Sequence, residues 1–220
     1  MRKATLGAFV GLTLAAGAGC SKGFGQGFEG EITMRTQRVG GASTEMVVKT
    51  KSDKLRFDVA SPGGEMSHAI FDPATGKVQM LLDAQRAYMD VDFARAGAPV
   101  ANTSPDTSQV QHTGKHDKVA GVDCETWIAA DVSGKRTEVC IATGIAFFDI
   151  NALKGGGSGL AKELREKRLF PLRSVDYDSK GVEVSRMEVV KIEGKRLGDE
   201  LFAVPADYKK LELPSALSPK

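Results

Sequence analysis

Cysteine and histidine are scarce in this chain, and so is an excess of charge of either sign. Its 220 residues include three cysteines and three histidines. Neither Cys124 nor Cys140 has a second cysteine or a histidine at the short spacings that zinc sites use. His112 and His116 lie four residues apart, but their segment lacks the helical pattern that would place both on one face. We therefore predict no metal site.

The balance of basic and acidic residues bears on whether the protein binds nucleic acid. The first 19 residues contain Arg2 and Lys3 and no acidic residue, and removing these two from the 30 basic residues leaves 28, equal to the 28 acidic ones. A clustered basic excess marks proteins that bind nucleic acid. We therefore expect no nucleic acid as partner. A composition of 41% hydrophobic and 26% charged residues fits one globular domain.

The start of the chain has the features of a secretory signal peptide. Two basic residues precede the uncharged stretch 4–19, which is too short and too rich in glycine for a spanning helix. Ala18 and Gly19 then precede Cys20, and this order resembles the lipobox of bacterial lipoproteins, in which the cysteine becomes the acylated first residue. We expect a signal peptide at 1–19, lipidation at Cys20 and a flexible tether at 20–27.

The expected anchor places the protein in the bacterial cell envelope. By analogy with lipoprotein sorting, Ser21 after the acylated cysteine directs the chain to the outer membrane, on its periplasmic side. Gly17 stands where a lipobox usually has leucine. Ordinary cleavage after Ala18, which would release a soluble periplasmic protein, therefore stays open.

Cys124 and Cys140 remain as an even pair if Cys20 is acylated. In an oxidising compartment a disulfide is the default for such a pair. The two cysteines lie on the two predicted strands of one hairpin, and the bond would close a loop of about 15 residues. Two buried free thiols are the alternative.

Alternation of apolar and polar residues predicts strands through most of the chain. The predicted strands are 28–35, 45–51, 54–59, 66–71, 78–82, 88–91, 122–128, 137–142, 172–177 and 182–192. Short turns join the first six, so we expect these to be antiparallel neighbours. Residues 94–117 lack apolar periodicity and carry proline and glycine, which predicts a long exposed loop.

One segment, 145–169, is the candidate helical region. Leu160 and Leu164 share one face of it, and Gly155 to Gly159 interrupt it as a hinge. The predicted fold is α+β and mainly β: an antiparallel sheet with a short helical insertion that covers one face. We expect a single domain at 28–213 and a tail at 214–220.

No arrangement typical of catalysis is present in the sequence. Ser158 lies in a glycine run, but the residues around it match neither a nucleophile motif nor a phosphate loop. His68 alternates with Met66 and Ile70, which favours a hydrogen-bonded histidine in or beside the core. We predict no catalytic residue, no cofactor and no enzymatic activity.

Six short motifs, in order, resemble a family of bacterial envelope proteins known as domain of unknown function 4412. The motifs are Phe28–Ile32, Lys51–Arg56, Arg86–Met89, Val119–Trp127, Phe170–Arg173 and Leu201–Tyr208. That family in turn resembles the periplasmic lipoprotein carriers LolA and LolB. The resemblance therefore implies a curved antiparallel sheet, an unclosed barrel with helices over its concave side, that holds something apolar.

Methionines mark the expected ligand surface. Five of them occupy apolar positions of five different strands, and methionine repacks around irregular partners. The predicted ligand-binding residues are Ile32, Met34, Met46, Val48, Leu55, Phe57, Met66, Val78, Met80, Leu82, Met89 and Val91, with Leu160 and Leu164 in a helical lid. We expect a membrane-anchored lipoprotein that binds a lipid or another apolar ligand. A plain core, in a structural lipoprotein that meets an envelope protein partner, is the alternative.

Overall fold

A computed structural model describes residues 28–52, 54–60, 64, 66–72, 77–91, 109–142, 160–167 and 169–212. The predicted signal peptide, Cys20, the tether, the hinge at 155–159 and the tail lie outside these described residues. The strands are β1 (Gly30–Arg38), β2 (Ser43–Lys51), β3 (Lys54–Ala60), β4 (Met66–Asp72), β5 (Lys77–Leu82), β6 (Ala87–Val91), β7 (Gln109–Val119), β8 (Val122–Ala130), β9 (Arg136–Ala142), β10 (Pro171–Tyr177), β11 (Glu183–Gly194) and β12 (Lys209–Lys210). The helix α1 (Leu160–Glu166) and two 3₁₀ helices, Asp83–Gln85 and Asp199–Phe202, complete the described elements.

The twelve strands form one sheet in the order β12-β6-β5-β4-β3-β2-β1-β11-β10-β9-β8-β7. Strands β1 to β6 are successive antiparallel neighbours, as their short turns predict. Strand β11 returns to pair with β1, which joins the second half of the chain to the first. Strands β12 and β7 lie at the two ends, so the sheet is unclosed. The predicted fold, mainly β with one large antiparallel sheet, is confirmed.

Strand β7 corrects part of the predicted loop at 94–117. Residues 109–117 belong to a strand that pairs with β8, and His112 and His116 lie in it. Most of its side chains are exposed, since β7 is an edge strand, so apolar residues do not alternate along it. A register shift between His112 and Lys115, with Gly114 at φ 67°, interrupts the two-residue period.

Two clusters of buried side chains stabilise the sheet. The first comprises Phe28, Ile32, Met34, Val48, Leu55, Phe71, Val78, Val119, Val122, Cys124, Cys140, Ala142, Phe170, Leu172 and Val189. It contains the expected disulfide, in which the Cα atoms of Cys124 and Cys140 are 5.3 Å apart. The second comprises Trp127, Ala129, Val139, Ile141, Leu160 and Leu164. The disulfide thus joins β8 to β9 inside the larger cluster.

The second cluster holds helix α1 in place. Its two leucines, Leu160 and Leu164, are buried on one face, as their spacing predicts. Glu163 and Lys167 form an ion pair of 2.5 Å on another face. A helix of seven residues is marginal in water on its own, so packing on the sheet stabilises it.

Candidate ligand-binding face

The register of β1 to β6 places most of the predicted ligand residues on one face of the sheet. Residues paired directly across neighbouring strands project to the same side. The central row of paired residues is Ile32, Val48, Phe57, Ala69, Met80 and Met89. We call the side to which this row projects the inner face, and the opposite side the outer face.

Exposure changes along this central row. Ile32 and Val48 are 0% and 1% exposed, Phe57 and Met89 are half-buried, and Met80 is 38% exposed. The inner face is therefore filled core at β1 and β2 and opens toward β5 and β6.

The other predicted residues of the inner face divide in the same way. Met34, Leu55 and Val78 are buried in the first cluster. Met46, Leu82 and Val91 are half-buried. We call the half-buried and exposed group, Met46, Phe57, Met80, Leu82, Met89 and Val91, the open apolar surface.

Met66 is a correction to the predicted surface. It pairs with Ala60 and projects to the same side of β4 as His68 and Ile70. Met66 therefore lies on the outer face, where it is 47% exposed. Strand β4 carries apolar residues at both Ile70 and Phe71, and its sequence therefore does not fix which phase points inward.

The inner face continues beyond β1 to the helix. Thr36 pairs with Met187, and the row runs on through Ser174, Val139 and Trp127. Leu160 and Leu164 pack on Val139 and Trp127, so α1 covers this end of the inner face. Met187 is a further inner-face methionine, which the sequence does not reveal because nothing in it shows that β11 pairs with β1.

The chain itself covers part of the outer face. Residues 195–212, the C-terminal segment, follow β11. The Lys51 ammonium donates to the Leu197 carbonyl at 2.7 Å, and Arg56 donates to the Leu201 carbonyl at 3.2 Å. Leu197 and Phe202 are buried in this segment. The C-terminal segment thus packs on part of the outer face, whereas Met66 on the same face stays exposed.

A charged cluster on the outer face surrounds Asp58, which is 4% exposed. Its carboxylate accepts hydrogen bonds from Lys49, from Arg56 at 2.7 Å and from the His68 Nδ1 at 2.6 Å. Burial alone would raise the pKa of Asp58, but these three hydrogen bonds outweigh it and the pKa is lowered. The His68 Nε2 lies 3.1 Å from Asp83. His68 is thus hydrogen-bonded, as its position predicts.

His112 contacts an aromatic ring and a carboxylate. The His112 ring stacks on Trp127 at a centroid distance of 3.9 Å, and its Nε2 lies 3.1 Å from the Glu163 carboxylate. The hydrogen bond from Lys167 is the main cause that lowers the pKa of Glu163, and His112 adds to it. Within the described residues, no group of three or more cysteine, histidine, aspartate or glutamate side chains is placed to hold a metal ion. No helix in the described part of the chain is long and apolar enough to cross a bilayer.

Two clefts among the described residues lie away from the open apolar surface. The first, of about 510 Å³, is lined by Arg38, Lys135, Arg136, Thr137, Asp176, Tyr177, Asp178, Val184 and Ser185. The second, of about 210 Å³, is lined by residues of β7 to β10, among them Thr126 and Arg173. Neither of these two clefts is lined by the predicted ligand residues.

The family model described as Domain of unknown function (DUF4412) matches residues 28–208. The chain belongs to this family. The DUF4412 match spans β1 to β11 and most of the C-terminal segment, and it includes all six motifs noted in the sequence. No curated protein matches the sequence.

Several solved structures resemble this DUF4412 protein at low identity. An uncharacterized conserved protein from Thermus thermophilus is 14% identical, with 83% of this chain and 90% of that chain covered and a TM-score of 0.49. The Pseudomonas aeruginosa MucA/MucB complex is 15% identical, with 83% and 57% covered and a TM-score of 0.47. A LolA superfamily protein from Nitrosomonas europaea is 9% identical, with 81% and 90% covered and a TM-score of 0.33. At TM-scores below 0.5 these likenesses do not identify a ligand or a partner.

Proposed function

We propose that this protein is a non-catalytic, membrane-anchored lipoprotein of the bacterial cell envelope that binds a lipid or another apolar ligand on its inner face. The observation that carries the proposal is the open apolar surface, where Met80 is 38% exposed, pairs with half-buried Met89 and lies in the same row as half-buried Phe57. Contiguous exposed apolar surface marks sites for ligands, membranes or partners.

The chemistry of the surface favours a ligand of variable shape. Met46, Met80 and Met89 supply flexible, polarizable thioethers that adapt to an acyl chain. None of the three carries a charge or a hydrogen-bond donor that would select a rigid polar substrate. An acyl chain laid along these strands would remove apolar area from water, at about 25 cal/mol for each Å².

Native mass spectrometry of the protein extracted from its own membrane tests the proposal. We expect co-purifying lipid or another apolar ligand in the spectrum. A variant in which Met80 is replaced by glutamate should lose that species, since an unpaired carboxylate beside an acyl chain is costly. Wild-type protein that carries no apolar ligand, and takes none up when it is supplied, would contradict the proposal.

The anchor at Cys20 is tested separately. The small residues before Cys20 and the pairing of the other two cysteines in a disulfide support acylation at this position. More than one acyl chain gives stable membrane attachment. Cys20→Ser should therefore move the protein from the membrane fraction to the soluble periplasmic fraction. Wild-type protein that is already soluble and begins at Gly19 would show ordinary cleavage after Ala18.

A second candidate is a structural or protein-interaction lipoprotein with a filled core. At most 3% of the surface is exposed in four predicted ligand residues, Ile32, Val48, Leu55 and Val78. Their burial favours a filled core. In that case an envelope protein, and not a lipid, would cover the open apolar surface. Cross-linking in intact cells with a photoreactive residue at position 80 separates the two, because one gives a lipid adduct and the other a protein adduct.

A further inference from the structure

The larger cleft lies at the rim of the inner face. Arg38, Ser185, Asp176 and Thr137 are successive partners across β1, β11, β10 and β9, and they line this cleft. Arg38 is four residues beyond Met34 on β1, so the two side chains project to the same face about 13 Å apart along the strand. The cleft thus lies at one end of the inner face. Met34 itself is buried, and its partner Met46 on β2 belongs to the open apolar surface.

The acidic side chains of the cleft already have partners. The Asp176 carboxylate accepts hydrogen bonds from the Thr137 hydroxyl at 2.8 Å and the Ser185 hydroxyl at 2.5 Å. The Asp178 carboxylate accepts from the backbone N–H groups of Lys180 and Val182, each at 2.9 Å. These carboxylates are thus occupied in holding neighbouring strands and a turn together.

The basic side chains of the cleft form fewer contacts than the acidic ones. Arg136 stacks over Tyr177 at 4.1 Å and donates to Glu138 at 3.2 Å. The guanidinium of Arg38 is exposed and makes no hydrogen bond or ion pair with any described residue. Lys135 also lacks an ion pair within the described part of the chain, although its charge contributes, after the Ser133 hydroxyl hydrogen bond, to lowering the pKa of Asp131.

We infer that this cleft holds the acidic headgroup of an amphiphile, a phosphate or carboxylate attached to an apolar chain, with Arg38 as its main ligand. The inference rests on the proposed function, since the apolar chain of the same molecule lies on the inner face. A guanidinium donates two parallel hydrogen bonds to a phosphate or carboxylate. A cleft of about 510 Å³ is large enough for such a headgroup.

Single-chain amphiphiles that differ only in the headgroup test the assignment. Isothermal titration calorimetry below the micellar concentration would compare dodecyl phosphate, dodecyl maltoside and inorganic phosphate. The variants are Arg38→Gln and, as a matched control, Arg35→Gln, which removes the same charge from the outer face of the same strand. Wild type should bind dodecyl phosphate about tenfold more tightly than dodecyl maltoside, because charge-assisted hydrogen bonds are made only to the phosphate. Arg38→Gln should abolish this preference, and Arg35→Gln should keep it.

Each other outcome overturns the assignment in a different way. Equal binding of the two amphiphiles to wild type, or the same preference in Arg38→Gln, would remove the headgroup site and leave the proposed function standing. Inorganic phosphate that binds with the affinity of dodecyl phosphate would show a site for free anions and not for an amphiphile. Wild type that binds neither amphiphile would overturn the headgroup site and the proposed function together.

Discussion

At the scale of single residues, Asp58 is the one charged residue among those described that is buried. A buried carboxylate loses hydration, and this cost is offset only when strong hydrogen bonds replace the water. Lys49, Arg56 and His68 supply three such bonds from β2, β3 and β4. Asp58 therefore connects three adjacent strands on the outer face.

Removal of the Asp58 carboxylate should be strongly destabilising. In Asp58→Ala the three donors lose a shared acceptor while they remain largely buried, and we expect the free energy of unfolding to fall by about 3 kcal/mol. Urea denaturation measures this change. Asp123→Ala is the matched control, because Asp123 forms an exposed ion pair with Lys118 and should cost less than about 0.5 kcal/mol. Equal effects of the two substitutions would contradict the account.

The lowered pKa of Asp58 also predicts a dependence of stability on pH. A carboxyl whose pKa is lower in the folded than in the unfolded state stabilises the fold above the unfolded value of 3.8, and this contribution is lost as the pH falls through the folded pKa. Between about pH 6 and pH 3 the wild type should therefore lose more stability than Asp58→Asn, which cannot titrate at this position. Parallel curves of unfolding free energy against pH would rule out the contribution.

The disulfide gives a second prediction at this scale. Cys124 and Cys140 are buried and 16 residues apart in sequence, and a loop of that length corresponds to about 3 kcal/mol in the chain-entropy model. The double variant Cys124→Ala/Cys140→Ala should lose about this much in urea denaturation. Reduction of the disulfide in wild type should lower the free energy of unfolding by a similar amount. The same reducing agent should cause no further loss in the double variant. An unchanged urea midpoint in both cases would contradict the prediction.

Single residues also show where prediction from sequence reaches its limit. Met80 and Met89 could be placed on the same face because each is in phase with other apolar residues of its strand, Val78 and Leu82 for Met80 and Val91 for Met89. Met66 could not, since β4 has apolar residues in both phases. Arg38 carries no local signal, because the cleft that it lines brings together strands from distant parts of the sequence.

At the scale of elements, the C-terminal segment is a cover for the outer face. Its 3₁₀ helix Asp199–Phe202 contacts β3, and its last strand, β12, pairs with β6. Arg86 and Asp207 form an ion pair, and Tyr208 donates to Asp83 at 2.7 Å. Buried Phe202 is the largest apolar side chain of this segment.

Truncation of Phe202 tests the role of this cover. Phe202→Ala leaves a cavity between the segment and the sheet, and we expect a loss of about 3 kcal/mol in urea denaturation. Leu211→Ala is the control, because Leu211 is exposed in the same segment and should cost less than about 0.5 kcal/mol. If Phe202→Ala is as stable as wild type, the segment does not contribute to the core.

Elements differ in how well sequence predicts them. Strands β1 to β6 each have one face in the core and short turns, so their existence and order could be predicted. Strand β7 could not, because its exposed edge position and the bulge at Gly114 remove the alternating pattern. Lys115 and Lys118 on this edge oppose pairing with another sheet, which is a common use of lysine on edge strands.

At the scale of the whole molecule, the pairing of β1 with β11 organises the fold. It joins the six-strand meander to β7–β10 and makes one inner face that runs from Met89 to Trp127. Sequence alternation predicted the antiparallel arrangement but not this long-range pairing. The family resemblance supplied the expectation of a single unclosed sheet, and the structure confirms it.

On the proposed function, one face of this sheet binds an apolar ligand. Two exposed methionines on neighbouring strands give a direct comparison, because Met80 lies on the inner face and Met66 on the outer face. The measurement is the affinity of a fluorescent lipid probe, displaced by fatty acid or phospholipid, for wild type, Met80→Glu and Met66→Glu. We predict that Met80→Glu weakens binding by about tenfold or more, since a carboxylate beside an acyl chain is costly, whereas Met66→Glu leaves it within about twofold. Wild type that binds no probe, or equal weakening by the two substitutions, would contradict the account.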